Sequence, residues 1–531
     1  MLFSRYFIPT LKKSISEDES RNFQLLAKGG FVRKSKSGHY VILPLGKRYL
    51  DKLYDYINLP ILEKSGVETG RVEPEAMLDA VLGDLESYKV LPQILYSRYT
   101  KNFDRHPRYG VVESTRSEMM GGVLIGGLRF ADACVGLDDA ILQRLLFSGL
   151  RVGMASRNSI CLPEISDQVF FCKNEHGSYS YLECSKCGAA HDFETAMLDE
   201  KVAVDKTVPV SLGALRMVET PGVRSIAELE KFFTSLASDF MKTFIYIADG
   251  KPLAAVVRGD RTISLQKLMC TMGISDIRKA DDKEVEEITG AAVGFAGPVG
   301  LEIRIVADNE VVNTGSFIAG ANLTGYHLAN VTAGRDFQAM ITGDIRCISE
   351  GEPCNCGGTL RESKGFRIGS VEYIGPKWFE GNGYFYTSEK GEKVPYEGAT
   401  YNVDLLAVAG LLVEACDNGK FPQLPQDLAP FDAVIIVANV KDEVQLDLAI
   451  KLNGELKKRR VQPLVDDRDE RIGVKFNDAE VMGIPIKIVC GKHSAEGIVE
   501  VMESASGNIE MPIENAIDML SIYEDTGNMF D

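Results

Sequence analysis

The chain has 531 residues, too many for one hydrophobic core, so three or four domains are expected. Hydrophobic residues make up 45% and charged residues 25%, ordinary values for a soluble globular protein. A formal net charge of −17 excludes a broadly basic nucleic-acid-binding surface and leaves room only for a local phosphate footprint. The longest obvious apolar run, Leu405 to Val413, is far short of a membrane span, so no membrane partner is expected. Arg5, Lys12 and Lys13 surround no long apolar stretch, and eleven scattered cysteines do not suit a secreted disulfide scaffold. A cytoplasmic location is the expectation.

In chain order, four blocks separate at 1–188, 189–355, 356–428 and 429–531. The first mixes helix and strand patterns around FVRKSKSGHYVILPLGKRYL (Phe31–Leu50) and TKNFDRHPRYGVVESTRSEMM (Thr100–Met120). Near its end, Cys184-Ser-Lys-Cys187-Gly has the spacing of a zinc knuckle, and Cys354-Asn-Cys356-Gly-Gly stands at the far end of the second block. Four thiolates brought together by an inserted domain would hold a structural zinc at its base. The CxC spacing strains chelation from adjacent turns, so Cys172 is a substitute ligand, and reduced thiols left from a lost site are the alternative.

The second block is entered through VETPGVRSIAELEKFF (Val218–Phe233). There a Pro-Gly turn precedes a helix with Ile226, Leu229, Phe232 and Phe233 on one apolar face. Glycine-rich stretches follow: TGAAVGFAGPVGL (Thr289–Leu301) and GANLTGYHLANV (Gly320–Val331). The third block carries EGATYNVDLLAVAGLLVEA (Glu397–Ala415), a strand and an apolar helix. In the fourth, Lys457-Lys458-Arg459-Arg460 ends a helical stretch, as a solvated terminus or an RNA-facing edge. A charged run from Asp466 to Arg471 then leads into Gly473-Val474-Lys475-Phe476. An acidic helix start, the Gly483-Ile484-Pro485 turn and the buried strand Ile486–Cys490 follow.

Asp466 to Lys492 resembles the anticodon-binding domain of bacterial-type prolyl-tRNA synthetases, and the resemblance extends over nearly the whole chain. It implies an α/β multidomain fold: a class II synthetase-like antiparallel-sheet domain (1–188 and 356–428), an inserted α/β editing domain (189–355) and a C-terminal α/β anticodon-binding domain (429–531). It also implies a homodimer and a transfer RNA partner bearing the proline anticodon. The residues assigned to that RNA are Asp467, Arg468, Glu470, Arg471, Lys475 and Phe476, with Lys458 and Arg459.

The second block resembles the family's editing domain almost end to end, through ADGKPLAAVVRGDRTISLQKL (Ala248–Leu268), the two glycine-rich stretches and GRDF (Gly334–Phe337). In that family the domain hydrolyses alanyl-tRNA. Ester hydrolysis needs a small pocket that accepts alanine and rejects proline, donors for the carbonyl and a positioned water. Gly294, Gly297 and Gly300 let backbone N–H groups approach the carbonyl closely. The resemblance puts the essential lysine on Lys267, facing the terminal adenosine's phosphate and ribose. It places Asp308 and His327 where they would orient the ester or its water. No cofactor is required for this reaction.

Adenylation needs planar, permanently charged donors for phosphate. The family's motif 2 arginine and glutamate fall on Asn102 and Asp104, although Pro107-Arg108-Tyr109-Gly110 is recognisable and a one-residue slip would recruit Arg105. The Thr-His-Glu loop is replaced by MLDAVLGDL (Met77–Leu85) and the Ser-His-Glu-Phe segment by SRNSICLPEISDQVF (Ser156–Phe170). Motif 3 has no arginine; Leu405 or Leu406 stands at the expected place. The expectation is a pseudo-synthetase scaffold: ATP binding lost, ester hydrolysis kept. The rivals are a non-catalytic RNA-binding or regulatory subunit, paired with an authentic synthetase, and an active proline–tRNA ligase using Arg105, Arg108, Arg116 or Arg129.

Overall fold

Two long strands, Gln93–Asn102 and Arg116–Gly126, pair antiparallel from Gln93↔Ile125 to Asn102↔Arg116. The computed structural model describes every residue except 14, 37, 64, 105–107, 128–136, 149, 159–165, 195, 197–212, 275, 504–506 and 528–531. The described chain divides into two units: 1–153, 170–176 and 366–531 form one, and 154–169 with 177–365 the other.

In the first unit, Glu397–Asp404 adds to the Arg116–Gly126 strand, Glu397↔Gly126 to Asp404↔Met119, and residues 369–374 add to it in turn. Glycine is required in this sheet, since a Cβ on Gly122 would lie 2.2 Å from the Leu95 carbonyl and 2.8 Å from the Tyr401 ring. The Leu405–Ala415 helix starts where the Asp404 carboxylate accepts from the Ala407 amide at 2.9 Å, an N-cap. Every residue from Leu405 to Val413 is buried, which explains a helix with no polar face.

The C-terminal part of this unit has a five-stranded sheet ordered Leu464–Asp466, Val434–Val437, Ile486–Cys490, Ile498–Glu503, Gly507–Pro512. The first three are parallel and the last two antiparallel. The helix after the charged run spans Ile472–Val481, so it begins before Gly473 instead of after Phe476. Arg471 occupies its N-cap, and the residues expected in the loop form its first turns.

The second unit holds a five-stranded sheet ordered Ile277–Lys279, Met241–Ala248, Lys251–Arg258, Arg304–Asp308, Ile341–Gly343. Ala254 and Val256 enter one core, while Leu253, Ala255 and Val257 enter another, so both faces of the central strand are covered. A three-stranded antiparallel sheet, Arg216–Glu219, Tyr326–Thr332, Ser316–Gly320, supplies Leu328 and Val331 to the first of these cores. The expected helix spans Ile226–Phe233 and opens with a capping box from Ser225 and Glu228. Only Leu229 is buried in it, and Phe232 is 47% exposed. Six residues at about 100° each carry Phe232 well off the Ile226 face.

Candidate functional site

Lys267 follows a capped helix start: the Ser264 hydroxyl accepts from the Lys267 amide at 3.1 Å, and the helix runs Leu265–Met272. Its side chain is 1% exposed, and Nζ donates to Asp344 Oδ2 and to the Arg346 carbonyl, each at 2.9 Å. The lysine expected to face a terminal adenosine is therefore buried, held against the 344–346 segment.

Asp308 ends its strand and caps the short helix Asn309–Asn313, accepting from the Glu310 amide at 2.9 Å and the Ile345 amide at 3.0 Å. Burial raises its carboxyl to about 6, against the opposing pull of those two amides. For an acid raised above its unfolded value, the folded state holds the proton longer. This group therefore lowers stability as pH rises from about 4 to about 6. Lys267 and Asp308 thus meet at one segment, residues 344–346.

His327 lies apart from that pair, at the wall of a cavity of about 300 Å³ lined also by Gly294, Arg224, Leu229, Lys242 and Phe244. The ring lies 5.4 Å from that of Phe295, tilted by 53°, and its Nδ1 sits 2.7 Å from the Thr220 hydroxyl. Burial lowers its pKa, so the imidazole is neutral near pH 7. Gly294, at φ +101°, gives the loop its left-handed turn beside the cavity. Gly297 is there for packing: a Cβ would lie 1.8 Å from the Gly320 carbonyl, and Asn322 clamps the loop with bonds of 2.8 and 3.0 Å to the Gly297 amide and carbonyl.

Several residues here escaped the sequence reading. Arg261 donates to Glu310 through Nε and Nη2 at 2.9 Å each and to Glu352 at 3.1 Å. Arg346 holds Glu352 at 2.9 and 2.7 Å. All four side chains are nearly buried. Their separations in the chain follow no motif; the TGDIR stretch after Met340 is the nearest signal.

Cys184, Cys187, Cys354 and Cys356 place their Sγ atoms within 4.8 Å of one another, a set that could hold a metal ion. A tetrahedral site with M–S of about 2.3 Å separates its sulfurs by nearly 4 Å. The Cys184–Cys356 and Cys187–Cys354 pairs stand at 3.4 and 3.9 Å. The CxC spacing is accommodated by a turn in which the Cys354 amide bonds Gly358 and the Gly357 amide bonds Cys354. Cys172 is not needed as a substitute: it lies outside this cluster, buried, with its thiol pushed up to about 12.

At the synthetase positions, Asn102, Asp104 and Arg108 are exposed, and Leu406 is 2% exposed inside the apolar helix. Met77–Leu85 forms the end of the Pro74–Val81 helix and a following turn that buries Met77, Leu78 and Leu82. Arg116 is exposed, whereas Arg105, Arg129 and residues 159–165 of the Ser156–Phe170 stretch lie outside the described residues.

The residues expected to meet RNA divide. Glu470, Arg471, Lys458 and Arg459 are exposed, and Phe476 is half-buried. Arg468 instead turns inward, bonding Asp466 and Asp478 and lying 3.6 Å over the Phe3 ring, and Asp467 accepts from the Ser4 amide at 2.8 Å. Lys475 is 1% exposed and donates to the Val437 carbonyl at 2.7 Å and that of Asp466 at 3.3 Å. It offers RNA no surface. Lys475→Ala strands those carbonyls and is expected to cost about 2–3 kcal/mol, read by chemical denaturation. An exposed change such as Lys458→Ala is expected to stay within about 0.5 kcal/mol.

Residues 220–337 match the model of the aminoacyl-tRNA editing domain, and residues 432–522 that of the anticodon binding domain. The chain is 32% identical over 570 residues to a proline–tRNA ligase of Caldicellulosiruptor saccharolyticus, and 33% identical over 572 residues to that of Caldicellulosiruptor bescii. Each relation covers 98% of both chains. The prolyl-tRNA synthetase of Cryptosporidium parvum, solved with halofuginone and AMPPNP, superposes with a TM-score of 0.50 at 11% identity. That match covers 96% of this chain and 80% of the other, a likeness of fold alone.

Proposed function

The chain belongs to the bacterial-type prolyl-tRNA synthetase family, and from that premise we propose that it binds proline transfer RNA and hydrolyses misattached alanyl esters in its 189–355 block. The carrying observation is the convergence of Lys267 and Asp308 on residues 344–346, inside a unit that also holds the His327 cavity. The cavity is at the small end of the range for ligand sites, which suits a terminal adenosine and a small aminoacyl group. In this reading neutral His327 and the Gly294 loop orient the ester, the Lys267 ammonium is the positive charge for its developing oxyanion, and ionised Asp308 orients the attacking water. Domain limits of 1–188, 189–355, 356–428 and 429–531 belong to the same proposal. So do a homodimer through the first domain and a structural zinc on the four thiolates.

Hydrolysis of alanyl-tRNA bearing the proline anticodon tests the main claim directly. Its rate is expected to fall as pH drops through about 6, because Asp308 is ionised only above that point. Asp308→Asn should lower the rate and flatten that limb of the profile; an unchanged limb removes Asp308 from the mechanism.

Two readings of the first domain follow from different observations. Near-full-length relation to proteins named proline–tRNA ligases favours retained ligation. Exposed Asn102 and Asp104, and Leu406 buried where the family has an arginine, favour its loss. Proline-dependent exchange of pyrophosphate into ATP separates them. Exchange at an ordinary synthetase rate establishes a ligase that also edits, and background exchange beside intact hydrolysis leaves editing alone.

A further inference from the structure

The four-thiol cluster and the Lys267–Asp308 segment are joined by a buried chain of charges. Glu352 precedes Cys354 by two residues, and its carbonyl accepts from the Leu360 amide at 2.9 Å, so its backbone belongs to the cysteine turn. Its carboxylate points the other way. Oε1 and Oε2 take the two Arg346 Nη groups, and Oε1 also accepts from Arg261 at 3.1 Å and the Ser349 amide at 2.6 Å. Arg261 continues to Glu310, whose amide bonds Asp308. The Arg346 carbonyl receives Lys267 Nζ, and the adjacent Ile345 amide bonds the second Asp308 oxygen. Each link is a charged or backbone hydrogen bond in a nearly dry interior, where one misplaced partner leaves another charge uncompensated.

The cysteine turn alone is a weak anchor. Cys187 is exposed, Cys356 is only partly buried, and the cluster around them is small. A metal ion crosslinking 184–187 to 354–356 would fix the position of Glu352, and Glu352 in turn the 344–346 segment. We propose that Glu352 is a positioning residue through which occupancy of the four-thiol site is passed to Lys267 and Asp308. The metal-free protein then keeps its transfer RNA affinity but loses most of its ester hydrolysis. This rests on the zinc and hydrolysis readings given above.

The test uses the full chain, zinc content measured, before and after stripping with a strong chelator under reducing conditions, and after zinc alone is returned. Stripping is expected to raise hydrogen exchange at the Ile345 and Glu310 amides about tenfold while the Lys251–Arg258 strand stays protected. It should lower kcat about tenfold with KM nearly unchanged, and zinc should restore both. Glu352→Gln, still carrying zinc, should show the same exchange and kcat losses; Glu352→Asp should recover part of each. A protein that takes up no zinc overturns the metal reading and this inference with it. Zinc that binds and leaves without altering exchange at Ile345 and Glu310 overturns the inference alone. Zinc-dependent exchange in a chain that hydrolyses no aminoacyl-tRNA supports the linkage and sinks the hydrolysis reading.

Discussion

Lys267→Ala is expected to slow hydrolysis of alanyl-tRNA by about two to three orders of magnitude, the scale of losing one preorganised charge from an ester-cleaving site. Transfer RNA affinity, assigned in the proposal to the C-terminal domain, should stay within about twofold. The burial of Lys267 sharpens this experiment. Its ammonium holds Asp344 and the Arg346 carbonyl, so the substitution also releases the segment that orients Asp308. Asp344 is 21% exposed and can hydrate, which limits the stability loss to about 1–3 kcal/mol. Lys267→Arg separates the two roles. If it restores stability but not rate, the ammonium acts on the ester; if both return together, Lys267 works by holding the 344–346 segment. Hydrolysis by Lys267→Ala at the wild-type rate removes this site from the reaction.

Leu406→Arg, which would return a cation to the motif 3 helix, is expected to prevent folding of the first unit. Leu406 is 2% exposed between Leu405 and Ala407, both at 0%, and the helix has no polar face to receive a guanidinium. An unpaired buried charge costs several kcal/mol, roughly the whole stability of a typical domain. The readout is soluble yield and the denaturation midpoint beside Leu406→Met, which should change stability by less than about 1.5 kcal/mol. A folded Leu406→Arg protein that gains ATP affinity would mean that this position faces a nucleotide site.

Much of the site was legible where the chemistry is local. The Ser264 cap and the start of the Lys267 helix follow from residues three apart, and CxxC with CxC is written in the chain. The partners of Lys267 were not legible, because Asp344 lies 77 residues away and joins it only after two strands have paired. Likewise Arg261 meets Glu352 across 91 residues, a distance over which no periodicity speaks. The charges expected to meet RNA misled for the same reason. Arg468 and Lys475 read as surface cations, yet Arg468 bonds Asp478 ten residues on as well as nearby Asp466, and Lys475 is held by a carbonyl 38 residues back.

The sequence by itself determined the order of the four blocks, the residue types available at each motif and the lack of arginine from 397 to 415, since these are properties of the covalent chain. Only the tertiary structure decided which charges turn inward. Burying an ion depends on finding its partner, and partners distant in the chain are chosen by packing.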